Sequence, residues 1–316
     1  MFKCPLPTPH QSKLIALSQN RKLPDVDKPR VEEALRRYTT WVQAMDRIEA
    51  QGDQLLQELA SLVNAYKRSV EIDLIYDSAA DFLYRQKGQH KVDNSVLEEF
   101  LPRLADTRLV PGLERLKSCS VGPQAAFTAF IFAGNVHSLL PDGGLFIKQK
   151  DQDYALSKKV YLKASTDPNF QGADTLDTVL NVAYLAAECK TNLDKTMFNE
   201  ALETARALKQ AVAGSRYLLV CEWLDMEPID TSSTDIQEVI ILRKAKRLGS
   251  NFREGLATAA GRTAAHDAFV AYYDAHPIAV ECLQRIVAHM KTVYPEAVKL
   301  DEEKVLNRGY FKPCIA

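Results

Sequence analysis

Residues 182–226 constrain this chain more than any other stretch. An apolar run from Val182 to Cys189 leads into LDKTMFNEALETARALKQAV, and then comes a second apolar run, YLLVCEWLDM. Continuous apolar runs of this length suit strands buried on both faces. The segment between them has its apolar residues three and four apart, the period of an amphipathic helix. Ala213-Gly214-Ser215 ends that helix. Upstream, GLFIKQKDQDYALSKKVYLKAS holds two short β-prone runs, Leu145–Lys148 and Lys159–Lys163. GADTLDTVLNVAYLAAECKTN reads as a short strand, a turn near Asn181, and the buried strand Val182–Cys189. The core is therefore expected to run β-β-α-β. EVIILR at 238–243 suits a strand or a helix start equally.

Helical texture flanks this core on both sides. Val31, Ala34, Leu35, Tyr38, Trp41, Val42, Met45 and Ile48 recur at three and four, and Asp53 is placed to open a second helix through Leu55, Leu59, Leu62 and Tyr66. Residues 70–86 and 94–104 continue the pattern, and 264–299 resume it. The Pro-rich first 29 residues read as an irregular arm. The spacing predicts a helical N-terminal region over 1–110 and an α/β domain with C-terminal helices over 111–316.

Composition narrows the classes. The chain has 316 residues, 46% of them hydrophobic, with 40 Lys and Arg against 41 Asp and Glu. It is too apolar and too near neutrality to be disordered as a whole. No run of eighteen or more apolar residues exists to span a membrane, and the N-terminus lacks the apolar segment of a secretory signal. The six cysteines are scattered, with no C-x-x-C pair. That argues against a zinc ribbon or a disulfide scaffold and predicts free thiols in a reducing cytoplasm. No G-x-S-x-G, P-loop or G-x-G-x-x-G occurs, and no histidine pair has zinc-ligand spacing.

The chemistry is expected at Asp177, Glu188 and Lys190. Glu188 and Lys190 are two apart, so on a strand they share a face. Both end an apolar run, where a polar pair is costly without partners or work. A hairpin turning near Asn181 would carry Asp177 back toward them, with Asp174 competing for the same place. Two converging carboxylates repel, and a divalent cation relieves that repulsion. Mg²⁺ suits oxygen ligands of this kind, taking one or two carboxylates plus phosphate oxygens. A lysine beside it would orient the attacking water, a set suited to phosphodiester hydrolysis.

On those residues the stretch GADTLDTVLNVAYLAAECKTNLDKTMFNEALETARALKQAV, then YLLVCEWLDM, resembles the PD-(D/E)xK nuclease superfamily, and most closely its type II restriction endonucleases. The order matches: acidic residue, strand, E-x-K at a strand end, helix, strand. The resemblance implies a mixed sheet flanked by helices. It implies Asp177 and Glu188 as Mg²⁺ ligands, the backbone carbonyl of Cys189 as a further ligand, and Lys190 as the catalytic lysine. Leu176 stands where the motif has Pro. A second E-x-K, Glu302–Lys304, lies in a polar context with no strand before it.

The substrate expected is double-stranded DNA. RKAKRLGSNFR offers Arg243, Lys244, Lys246, Arg247 and Arg253 as phosphate contacts, and Lys158, Lys159 and Lys163 form a second basic group. One site per chain predicts a homodimer, or a heterodimer of related subunits, for double-strand cleavage. A restriction role predicts a cognate methyltransferase and a cytoplasmic setting, with no membrane contact. The alternatives are a repair or recombination nuclease of the same superfamily, and a non-catalytic helical DNA-binding or scaffold protein.

Overall fold

The structure is a computed structural model that describes residues 6–113, 119–132, 144–171, 175–293 and 302–309. Helices come first: α1 (Pro9–Ser18), α2 (Lys28–Asp46), α3 (Gly52–Arg68), α4 (Phe82–His90) and α5 (Ser95–Phe100). A wide π-helical segment, Ser69–Tyr76, extends α3. Three long strands follow, β1 (Cys119–Phe132), β2 (Leu145–Ser165) and β3 (Thr175–Leu193). Helix α6 (Lys195–Ala211) then leads to β4 (Arg216–Leu224) and β5 (Glu238–Ile241). The chain closes with α7 (Ser250–Gly255), α8 (Ala259–Ala264), α9 (His266–Ala275), α10 (Val280–Thr292) and α11 (Glu302–Arg308).

The five strands form one sheet in the order β1-β2-β3-β4-β5. The first three are antiparallel, while β3-β4 and β4-β5 are parallel. The mixed sheet expected from the sequence is thus present, and α6 makes its parallel crossover. Asp194 caps α6, its carboxylate accepting the Met197 N–H at 2.9 Å.

Alternation along the strands divides the core in two. Tyr154, Leu156, Leu185, Ala187, Cys189, Leu218 and Val220 point to one face, into a core shared with α1–α5 and with Leu283, Ile286 and Met290 of α10. The other face is lined by Ala126, Ala155, Ala183 and Ala186, small enough for Ala201 and Ala205 of α6 to lie close. The helical front and the sheet therefore share one apolar core.

Three expectations change. Residues 9–18 are not an irregular arm but a helix that buries Leu14 and Leu17. Its proline sits in the first turn, where no N–H is needed. The two β-prone runs of 145–163 are parts of one strand of 21 residues. Residues 175–193 likewise form a single 19-residue strand. Asn181 does not turn the chain; it lies opposite Lys159 in the ladder, and its amide donates to the Ala125 carbonyl at 3.1 Å. Strand β1, masked in sequence by Gly122-Pro123, is an edge strand, where proline is tolerated. Glu302 and Glu303 lie on α11, so that E-x-K is helical.

Candidate active site

Pro123 has no N–H to give to the ladder. Opposite it, β2 carries one residue more than β1, since Gly122 pairs with Ala155 and Gln124 with Gln152. That bulge falls on Asp153-Tyr154, and bulges re-aim side chains. On the other side of β2, pairing with β3 stops at Tyr154 and Ala187. Beyond that point the strands part, and the Asp153 side chain fills the gap: its Oδ2 accepts the Cys189 backbone N–H at 2.8 Å.

Glu188 and Lys190 stand beside this point, on one face of β3 as their spacing requires. Lys190 Nζ lies 2.6 Å from Glu188 Oε1. The buried Tyr217 hydroxyl donates to Glu188 Oε2 at 2.7 Å. Asp153, Glu188 and Lys190 all line one cleft of about 520 Å³. Its walls include Asp93, Asn94 and Lys91 from the helical front, Arg247 and Arg253 from the C-terminal region, and the rings of Tyr84, Trp223 and Tyr272.

Burial dominates the electrostatics of the carboxylates in the cleft. Burial pushes the Asp153 carboxyl above its ordinary value; the Cys189 N–H opposes this, and the charges of Glu98 and Glu188 add to it. Burial works against the Lys190 ammonium, but the hydrogen bond and charge of Glu188, with Asp153 behind, outweigh it and hold the lysine above its usual pKa. Asp93, wholly buried, is raised to about 6 by burial and by the charge of Glu71. Four carboxylates, those of Glu71, Asp93, Asp153 and Glu188, thus line the cleft, where Lys190 is already committed to Glu188.

Asp177 is not part of this centre. It lies eleven positions before Glu188 on the same extended strand, a separation of roughly 35 Å at about 3.3 Å per residue. Its carboxylate is exposed and paired with Lys163 at 3.3 Å. Asp174 lies outside the described residues. Cys189 is buried beside Glu188, and its carbonyl accepts the Asn94 amide at 3.1 Å. The carboxylate that sequence reasoning missed is Asp153, which lies between the two β-prone runs, its one further sign being Pro123 thirty residues earlier.

The expected basic patch divides. Arg243 is buried and cannot meet DNA: its guanidinium donates to Glu222 at 3.0 Å, to the His276 carbonyl at 2.8 Å and to the Tyr273 hydroxyl at 2.5 Å. Glu222, equally buried, also holds Lys67 at 2.8 Å. Lys244 and Lys246 are exposed and ion-paired with Glu281 and Glu227. Only Arg247 and Arg253 reach the cleft, both steadied by Asp225. Lys158, Lys159 and Lys163 are exposed on the outer half of β2. Basic residues that the sequence did not flag, Lys87 and Lys91, also line the cleft. Lys87 lies 4.2 Å from the Tyr84 ring centre. Lys91 ends α4 in the left-handed region at φ 48°.

Among the described residues no group of three or more His, Cys, Asp or Glu forms a metal-binding cluster, and no helix is long and apolar enough to cross a membrane. Cys189, Cys221 and Cys282 are free thiols.

Comparison with known proteins bears on the family and the fold. The family model for the Bpu10I restriction endonuclease matches residues 89–311, which contain β1–β5 and the cleft residues Asp153, Glu188 and Lys190. The solved structure of the native BbvCI A2B2 tetramer aligns with a TM-score of 0.53 over 90% of this chain and 95% of that one, at 19% identity. That likeness is one of fold. No curated protein matches.

Proposed function

The chain belongs to the Bpu10I restriction endonuclease family and is a type II site-specific nuclease, and from that premise we propose that it hydrolyses phosphodiester bonds of double-stranded DNA at Asp153, Glu188 and Lys190, with Mg²⁺ bound. One observation carries the assignment: where β2 and β3 part, a bulge aims Asp153 at the Cys189 peptide, beside the Glu188–Lys190 pair and inside the cleft.

The donor set fits a hard divalent cation. It is all oxygen, with two carboxylates, and Asp153 is held above its usual pKa by burial and by the charges of Glu98 and Glu188. Mg²⁺ takes few protein ligands and fills its shell with water and phosphate oxygens, which agrees with the small carboxylate count here. When bound, the ion would polarise the phosphate and lower the pKa of water. Asp153 and Glu188 would hold it. Lys190 brings an ammonium to the same spot, where it can orient a water or meet the charge developing on the phosphate. Tyr217, kept neutral by burial, fixes the Glu188 carboxylate by donating to it.

The cleft walls suit a duplex backbone. Lys87 and Lys91 of the helical front and Arg247 and Arg253 of the C-terminal region line it. We assign these four as phosphate contacts. The salt dependence of DNA binding checks this: removing one phosphate contact lowers the slope of log K against log salt by about 1. Lys91→Ala and Arg253→Ala are each expected to do so in filter binding. An unchanged slope in both would remove these walls from the DNA path.

Among the described residues the chain holds one such centre, and cutting both strands needs two. We propose that it acts as a dimer, of identical or of related subunits; the A2B2 assembly of the BbvCI neighbour favours the second. A cognate methyltransferase would protect host sites.

The direct test is incubation with mapped plasmids and Mg²⁺, followed by sequencing of fragment ends. Ends defined by one sequence support a restriction enzyme. Ends defined by junctions or damage would support a repair nuclease of the same superfamily. Inertness toward all plasmids by wild type and Lys190→Ala alike, with and without a related subunit, would leave only the non-catalytic reading.

A further inference from the structure

Asn94 presents an unexplained atom in the cleft. The residue is nine-tenths buried, precedes α5, and lines the cleft with Asp153, Glu188 and Lys190. Its amide nitrogen donates to the Cys189 carbonyl at 3.1 Å and reaches Glu98 Oε1 at 3.3 Å. Both partners accept only, so the orientation of the amide is fixed by chemistry. Its Oδ1 is buried and has no hydrogen-bond partner. An orphaned buried acceptor is costly, on the order of 1–3 kcal/mol, and calls for a reason.

The location supplies one. In an extended strand the N–H and C=O of one residue point to the same side. At Cys189 both point to where β2 has left the ladder, and two side chains replace the lost strand: Asp153 takes the N–H and Asn94 takes the C=O. Asp153 and Asn94 therefore hold the backbone N–H and C=O of Cys189 between them. The unsatisfied Oδ1 belongs to a residue that lines the same cleft as the carboxylates of Asp153 and Glu188.

We infer that Asn94 is a third oxygen donor of this centre, its Oδ1 facing the hydrated divalent cation held by Asp153 and Glu188. The inference rests on the metal site proposed above. It goes further by assigning the helical front a direct part in the centre. A neutral amide is well chosen here. A third carboxylate would meet Glu98 and the Cys189 carbonyl without a donor to offer either of them.

Mn²⁺ alone, titrated into the full-length chain without DNA and followed by the electron paramagnetic resonance of the free ion, tests this apart from cleavage. Asn94→Ala is expected to bind Mn²⁺ about tenfold more weakly than wild type, the scale on which residues around a metal act. Asn94→Asp restores an anionic oxygen at the same place and should bind at least as tightly as wild type. It should also gain more thermal stability on Mn²⁺ addition, because the ion relieves repulsion from Glu98. Wild-type affinity in Asn94→Ala overturns the inference. If Asn94→Ala folds poorly by circular dichroism, Asn94→Asp decides, and weaker binding than wild type overturns it. Glu188→Ala separates the two failures. If Glu188→Ala binds Mn²⁺ like wild type, the metal site itself is misplaced. If it loses the ion and Asn94→Ala does not, Asn94 alone is dismissed.

Discussion

Asp153→Asn is expected to abolish DNA cleavage, with a loss of about a thousandfold or more, while Asp177→Asn cuts at the wild-type rate. The asymmetry follows from where β2 and β3 place the two carboxylates. Asp153 meets the Cys189 peptide beside Glu188 and Lys190. Asp177 is exposed at the other end of β3, where its ion pair is with Lys163. An asparagine amide at position 153 retains an oxygen for the Cys189 N–H, so the local fold survives. What the variant loses is the negative charge that would hold a cation, worth several kcal/mol in a metal-assisted hydrolysis; about 4 kcal/mol is a factor of about a thousand.

Stability moves the other way, which separates lost chemistry from lost folding. A carboxyl whose pKa is raised in the folded chain binds its proton more tightly there than in the unfolded chain. Its ionised form therefore weakens folding, fully so above the raised pKa and not below the unfolded one. At neutral pH a neutral side chain at 153 removes that cost, so the variant should melt at or above the wild-type temperature. Asp177→Asn removes one exposed ion pair, worth at most about 1 kcal/mol. Single-turnover cleavage of a mapped plasmid, with melting curves on the same preparations, gives both readings. Full activity in Asp153→Asn, or its loss in Asp177→Asn, would sink the assignment.

The sequence carried what is local. Glu188 and Lys190 were legible because two-residue spacing on a strand fixes a shared face, whatever the rest of the fold does. The crossover α6 and strand β4 were legible because period and apolar runs differ between helix and buried strand. Asp153 was not legible, because its place depends on a register between β1 and β2 and on a bulge set by Pro123 across the sheet. Asp177 looked right because it is near Glu188 in sequence and Asn181 resembled a turn. Period and composition do not tell a 19-residue strand from two shorter ones when its outer half is exposed. Arg243 misled for a related reason: a charge within a basic run reads as solvated unless its partners, here about thirty residues away in Tyr273 and His276, are known.

Arg243→Ala is expected to cost about 3–5 kcal/mol of folding stability and to leave the salt slope of DNA binding unchanged in the protein that remains folded. Arg243 belongs to a buried relay in which Glu71 pairs with Lys67, Lys67 with Glu222, and Glu222 with Arg243. Each charge there is held by an opposite one, and Lys67 also donates to the Asp93 carbonyl at 2.6 Å. The relay runs from α3 through β4 to the turn after α9, so it ties the helical front, the sheet and the C-terminal helices together. Taking out one cation leaves two carboxylates to share Lys67 in a water-poor core. Breaking a buried pair from one side typically costs about 3–5 kcal/mol. The guanidinium also lies 4.1 Å from the Tyr273 ring centre and 5.0 Å from that of Trp223, so its removal loosens the aromatic wall of the cleft. Guanidinium unfolding of Arg243→Ala beside Arg253→Ala gives the contrast. The half-exposed Arg253 should cost less than about 1 kcal/mol and lower the salt slope, whereas Arg243 should do the reverse. A stable Arg243→Ala protein with a reduced salt slope would return this residue to the DNA surface and contradict the relay. Removing both partners tests the relay itself: replacing Lys67 and Glu222 together by Met and Leu, which fill the space without charge, should recover part of the stability that Lys67→Ala alone loses.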